Sequence, residues 1–425
     1  MVSAHGARGA QEARGARGAQ GARGARGAQG AHAELEARMR ARLGGRDCLY
    51  VPSCRLGLYL ALRHWCPPGG RVLMSPVNDD VIFFVVLAAG LRPVQAPLDP
   101  HTGSLDPAAV PDAVWSGLCA VLTTNLYGNP DPAPGLRERC DRLGIPLLED
   151  AAHAIGSTVG GRPVGAWGDA AVFSLSKHAG ARTGGFLAVA DPARRAALAA
   201  ERDALLRPSG PGGELARLAR PYAESAARAL RLTRPAHAAL RALGVHERPG
   251  IRMPLRPAEL TRALGAAPAL DPFHSWIRVD LHDYRLRTGP ARLRRVRTRL
   301  AALDAVLDAH RAGTARLLAT EYASPDAPAG GRVQPLFRVP LLVEDREAAA
   351  AALARRGIPV GYLYDPPLDA YAGADFTDPS PDPAPAAWFA RHAPRENADE
   401  EPDLLRNAQE NRVTVYFSTK FEYFD

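Results

Sequence analysis

The chain has 425 residues, 46% hydrophobic and 23% charged, and a net charge of +8. That length exceeds what a single hydrophobic core comfortably serves, so two domains with extensions are expected. No apolar run approaches the roughly 20 residues of a membrane helix, and the five cysteines, none in a C-x-x-C pair, argue against a disulfide framework or a zinc ribbon.

In chain order, residues 1–33 are largely a degenerate Gly-Ala-Arg-Gly-Ala-Gln repeat with little to bury. A disordered tail is expected there. It has no apolar stretch of a secretory signal, so a cytoplasmic location is expected. Glu34–Leu43 reads as a short helix stopped by Gly44-Gly45. Strand-length apolar runs follow at Val72–Met74, Pro93–Ala96, Cys119–Leu122, Pro146–Leu148, Ala170–Ser174 and Phe186–Ala190. Helical stretches at Leu56–Arg63, Val81–Ala89 and Gly135–Leu143 fall between several of them. Such alternation predicts an α/β domain with a mostly parallel sheet, here residues 34–249.

An Ala/Leu/Arg-rich helical insert occupies about 205–249 and is broken by Pro221 and Pro235. Residues 250–425 are expected to form a smaller α+β domain. In it, Ser275–Leu318 reads as one long amphipathic segment, Val333–Val343, a helix at Arg346–Arg356 and Gly357-Ile358-Pro359-Val360 suggest the α+β character, and Ser380–Pro402 reads as a surface loop.

Of the 53 basic residues only Lys177 and Lys420 are lysines; the rest are arginines. Where a cation alone suffices the chain uses Arg, so a retained lysine points to chemistry that needs a removable proton. Lys420 has no chemical context, whereas Lys177 lies in one of three polar clusters that each follow an apolar strand. These are Thr123-Thr124-Asn125-Leu126-Tyr127-Gly128, Glu149-Asp150-Ala151-Ala152-His153 and Ser174-Leu175-Ser176-Lys177-His178. In an open α/β sheet, ligands bind beyond the carboxyl ends of the strands. An acid after one strand and a lysine after another can then face each other across a crevice. Asp150 alone is equally at home as a helix N-cap, and Ser-x-x-Lys alone is a weak signal. The order and spacing of all three clusters are far more specific.

From about Gly70 to Val189 the sequence resembles the DegT/DnrJ/StrS-type sugar aminotransferases, fold-type-I enzymes that use pyridoxal 5′-phosphate (PLP). The likeness rests on Gly70-Arg71-Val72-Leu73-Met74-Ser75-Pro76, Leu126-Tyr127-Gly128, Glu149-Asp150-Ala151-Ala152-His153-Ala154, Gly161-Arg162-Pro163-Val164-Gly165 and the Phe173-Ser174 entry to Lys177. The resemblance implies that Lys177 forms the Schiff base with PLP and shuttles a proton. It implies that Asp150 pairs with the pyridinium nitrogen, keeping the ring an electron acceptor. His153 would lie at the ring and Ser174 at the phosphate, with Asn125 and Tyr127 on the adjoining loop, Tyr127 toward substrate. His178 and Arg256 are further substrate candidates. The bland reading of His178 is a polar residue at a helix start, and that of Arg256 a surface or structural salt bridge.

Departures from the family are visible as well. Asp79 stands where the family places a ring-stacking aromatic, and Ser53-Cys54-Arg55 where it has a Ser-Gly-Thr phosphate turn. Cys54, Arg55 and Asp79 are therefore cofactor-side candidates of altered chemistry, Arg55 through its planar fork.

The leading expectation is a PLP-dependent aminotransferase acting as a homodimer. It would move an amino group from a glutamate- or glutamine-like donor to a keto group of a nucleotide-linked sugar or related metabolite. A PLP lyase, replacement or condensation enzyme on the same fold is the first alternative, and a non-catalytic binding or regulatory protein the second. The twelve histidines show no metal-ligand spacing, and no nucleic-acid-binding motif is present.

Overall fold

The computed structural model describes residues 30–210, 252–278, 283–319, 333–340 and 364–391, with a few isolated positions besides. The expected tail up to residue 29, nearly all of the insert after 210, the helix expected at Arg346–Arg356 and Lys420 lie outside the described residues, isolated positions apart.

Residues 30–42 form helix α1, so residues 30–33, expected to belong to the disordered tail, are helical. Leu35, Met39 and Leu43 recur at four-residue spacing and are buried together on one face. The central element is a seven-stranded sheet in the order β1-β9-β8-β5-β4-β2-β3. Its strands are β1 (Asp47–Val51), β2 (Arg71–Met74), β3 (Arg92–Gln95), β4 (Ala120–Thr123), β5 (Leu147–Asp150), β8 (Ala170–Ser174) and β9 (Gly185–Val189). β6 (Thr158–Val159) and β7 (Arg162–Pro163) form a separate small hairpin. Only β9 runs against its neighbours; every other pairing in the sheet is parallel. The six expected strands are present within two residues of their predicted limits. The edge strand β1 is an addition.

Side-chain alternation along the strands sorts the core into two layers. Leu49, Val51, Val172, Leu187 and Val189 face one side; Cys48, Tyr50, Phe173, Phe186 and Ala188 face the other. The first side is covered by α2 (Cys54–Trp65), α3 (Asp80–Ala88) and residues from Met253 to Tyr284. Every residue of α3 is buried, and all but Asp80 at its start are apolar. Phe83 and Phe84 within it contribute roughly 1.5–3 kcal/mol each by burial. The second side is covered by α1 and by the helices Pro290–Ala301 and Leu303–Leu318. Residues on both sides of the expected boundary at 250 thus share these cores.

Two elements differ from expectation. Ser275–Leu318, expected as one long amphipathic segment, is divided among the described residues into the helices His274–Ile277, Pro290–Ala301 and Leu303–Leu318. Pro290 takes the first position of its helix, where a missing N–H costs no hydrogen bond. The expected loop Ser380–Pro402 contains the helix Ala384–Arg391, whose Ala386, Phe389 and Ala390 are buried at helical spacing. Its Pro/Ala composition masked that short apolar face.

After β3 leaves from one flank of β2, the chain returns to place β4 on the other. This reversal opens a crevice at the carboxyl ends of β2 and β4, where ligands bind in open sheets.

Candidate active site

The three polar clusters converge on that crevice. Asp150 ends β5 and Ser174 ends β8, and these strands are paired in parallel with Asp150 opposite Val172. Lys177 follows three residues beyond Ser174, in a turn. Asp150 is buried, and its Oδ1 accepts from the Ala152 amide at 2.9 Å and faces the Cys54 Sγ at 4.0 Å. Burial pushes its carboxyl up to about 7, against the opposing pull of the Ala152 amide and the Lys177 ammonium; Asp79 adds a smaller push upward. Lys177 thus lies near enough for its charge to act on the Asp150 carboxyl.

Asn125 lies behind this carboxylate. Its backbone is left-handed, φ 45°, a conformation Asn tolerates. Its Nδ2 donates to Thr123 Oγ1 at 2.9 Å and to the Asp150 carbonyl at 3.0 Å, while its Oδ1 accepts from the Asp131 amide. Asn125 is therefore tied to the backbone of Asp150. Asp131 completes the turn by accepting from the Leu105, Thr124 and Asn125 amides. Sequence reasoning did not single out Asp131; its signal was the Asn129-Pro130-Asp131-Pro132 turn.

Tyr127 also has positive φ, 58°, and its buried ring stacks on Tyr364 at 6.0 Å. Burial raises its phenol to about 12. Next to it Gly128 has φ 98°, and a Cβ there would lie 2.7 Å from the His153 carbonyl oxygen. The loop after β4 can approach the loop after β5 this closely only with glycine at 128.

His153 is half-buried, its ring stacked on Phe337 at 5.3 Å and 15°. Burial holds its imidazole well below the usual range, reinforced by Lys177, Arg338 and His178, so it is neutral near pH 7. His178 is buried in a turn after β8 and is not at a helix start as its bland reading had it. Its Nε2 meets the Pro335 carbonyl at 2.8 Å, and burial lowers its pKa to about 3. A neutral ring bonded to a carbonyl acts there as the donor.

The other candidates divide. Ser53 caps α2 by accepting from the Arg55 amide, which puts Cys54 at the helix N-terminus against Asp150. Burial and the Asp150 charge keep the Cys54 thiol well above its ordinary range, in the protonated form. The Arg55 guanidinium reaches to Ser53 Oγ at 3.2 Å and the Ile277 carbonyl at 2.6 Å. Ser174 Oγ lies 2.8 Å from Ser176 Oγ. Asp79 caps α3 through the Val81 amide while its charge faces Asp150 and His153. Arg256 sits apart at the start of the helix Pro257–Gly265, paired with Glu259 at 3.0 Å, donating to Ser275 and lying over the Trp276 ring.

A mostly parallel seven-stranded sheet with a single antiparallel member, flanked by helices, is the fold-type-I architecture. Comparison with known proteins agrees. Residues 19–207 match the model of the DegT/DnrJ/EryC1/StrS aminotransferase family. It is 40% identical over 179 residues to the erythromycin biosynthesis sensory transduction protein EryC1 of Saccharopolyspora erythraea, covering 41% of this chain and 48% of that protein. It is 35% identical over 163 residues to the dTDP-3-amino-3,4,6-trideoxy-alpha-D-glucose transaminase of Streptomyces venezuelae, covering 37% and 42%. These matches thus span less than half the length of either relative. Among solved structures, E. coli GDP-4-keto-6-deoxy-D-mannose-3-dehydratase with bound hydrated PLP superposes with a TM-score of 0.61 at 15% identity, over 90% of this chain and 91% of that one.

Proposed function

We propose that this protein is a PLP-dependent aminotransferase. It would transfer an amino group from a glutamate- or glutamine-like donor to a keto group of a nucleotide-linked sugar or related secondary-metabolite intermediate. The observation that carries the reading is Asp150. A carboxyl buried this deeply, raised to about 7 and held by one backbone amide and a thiol, is a site made for a cation. A protonated pyridine nitrogen has that charge and shape, so the residues present fit the cofactor.

In this reading Lys177 would hold PLP covalently, Asp150 would hold the proton on its ring nitrogen, and Ser174 and the amino end of α2 at Cys54 and Arg55 would hold its phosphate. The chemistry PLP supplies when bound is an electron sink that lets a bond to the amino-bearing carbon break. The chain's own work is positional and acid–base. Asn125 fixes the backbone of Asp150. Neutral His153 offers a hydrogen bond without adding positive charge beside Lys177. The Lys177 Nζ would be the base that takes a proton from the substrate carbon and the acid that returns it. Tyr127 and Asp79 border the space left for substrate. The transaminase named among the relatives supports an amino-sugar product. The reading carries with it a homodimer acting in the cytoplasm.

The test is the visible spectrum of the purified protein after incubation with PLP, with borohydride reduction and peptide mapping. Reduction should fix the label on Lys177 and not in the Lys177→Ala variant. Addition of glutamate or glutamine should then release the 2-oxo acid in amounts matching the bound cofactor. A protein that stays colourless sinks the reading. One that binds PLP but releases a different product turns it toward elimination or replacement chemistry.

A further inference from the structure

Two of the five cysteines meet at the end of the sheet opposite the crevice. α2 sets Cys54 against Asp150 at its amino end and finishes on Cys66, whose amide donates to the Leu62 carbonyl at 3.0 Å. A tight turn follows, Cys66-Pro67-Pro68-Gly69-Gly70, closed by the Gly70 amide on the Pro67 carbonyl at 3.0 Å. One residue further on, the Arg71 carbonyl accepts from the Cys119 amide at 2.8 Å. That bond sets Cys119, at the entrance to β4, beside the turn that carries Cys66.

The Cys119 sulfur lies against this turn. A Cβ built on Gly70 would meet it at 2.5 Å, so the absence of a side chain at 70 gives the sulfur its seat. Cys119 packs on the core cluster that contains Cys66, and the two side chains hydrogen-bond each other. Cys66 is buried, whereas Cys119 keeps part of its surface exposed. Donation from Cys66 holds the Cys119 thiol below its ordinary range; the same bond, joined by burial, holds Cys66 above it. Cys48, Cys54 and Cys140 differ: each is buried, and burial pushes each thiol up. An open, acidified thiol with a second thiol directly behind it is the arrangement of an attacking and a resolving cysteine.

We propose that Cys66 and Cys119 form a reversible disulfide, a redox site separate from the crevice at Lys177. The oxidant is a small-molecule disulfide such as oxidised glutathione. The Cys119 thiolate attacks one of its sulfurs, expels one glutathione thiolate and holds the other half as a mixed disulfide. Cys66 gives its proton to the departing thiolate and attacks the Cys119 sulfur, which releases the second glutathione. Two protein thiols are thereby oxidised by two electrons, and one glutathione disulfide is reduced to two thiols. The new bond closes a loop of about fifty residues that contains β2, α3 and β3, and so restricts the unfolded chain.

The experiment incubates the full-length protein with oxidised glutathione, quenches it with acid, counts thiols in denaturant and maps the cross-link by mass spectrometry. Wild type should lose two of its five thiols, joined as Cys66–Cys119 within one chain and with no glutathione retained. Dithiothreitol should restore all five. Cys66→Ala and Cys119→Ala should each lose the cross-link, with thermal unfolding of the reduced variants checking that they are folded; where one is not, the bond mapped in wild type decides. Wild type that keeps all five thiols, that stops at a glutathione adduct, or that joins any other pair of cysteines overturns the proposal.

Discussion

Glu149 and Asp150 are neighbours on one strand, both carboxylates and both buried, and they point into opposite surroundings. Glu149 is enclosed by the loop before β8, where the amides of Gly165, Trp167 and Gly168 donate to it at 2.8, 2.8 and 2.6 Å. Asp150 looks into the crevice and takes one amide and a thiol. Burial raises both. The difference is in what compensates the charge: a closed set of backbone donors makes a structural anchor, and an incomplete set leaves a place for a ligand's cation.

The sharpest way to break that comparison is to remove the lysine facing Asp150. Lys177→Ala should abolish reducible attachment of PLP and lower the transamination rate by about 10²–10⁴-fold or more, measured by turnover and by borohydride labelling. A next-largest effect belongs to the anchor. Glu149→Ala would strand three buried amides at roughly 1–3 kcal/mol each, so chemical denaturation should show a loss of several kcal/mol whether or not PLP is present.

Asp150→Asn should behave in the opposite way. The native carboxyl has a raised pKa, so its contribution to stability is fully present below the unfolded value near 3.8 and is lost as pH rises through about 7. The cofactor-free stability of wild type minus that of Asp150→Asn should therefore fall from pH 5 to pH 8 by about 1–3 kcal/mol. The same substitution should weaken PLP binding. A pH-independent difference would show that the folded protein does not hold the Asp150 carboxyl above its ordinary range. A smaller effect concerns the loop contact between the two strand ends: Gly128→Ala, with positive φ and the His153 carbonyl in the way, should cost about 1–3 kcal/mol and lower the melting temperature without moving the PLP absorption maximum.

Much of this was legible in the sequence because it depends on short-range pattern. Alternating apolar runs and helical stretches marked six of the seven sheet strands, and the scarcity of lysine drew attention to Lys177. β1 was missed although α1 precedes it and Cys48–Val51 is an apolar run of strand length; its place in the sheet comes from antiparallel pairing with the distant β9. His178 was legible as a polar neighbour of the lysine but not as a clamp, because its partner Pro335 is 157 residues away. Arg256 was placed with substrate by its position in a motif; the fold gives its guanidinium to Glu259, Ser275 and Trp276.

The sequence by itself determined the α/β framework, the crevice at the strand ends and the identity of the lysine–carboxylate pair, since hydrophobic period and residue order specify which side chains follow which strands. Only the tertiary structure decided which of two adjacent carboxylates is closed and which is open. It also decided that Asn125 is tied to Asp150 and that the ring beside Lys177 is Phe337. Those outcomes depend on hydrogen-bond partners and packing contacts from distant segments, and no local pattern in the chain encodes them.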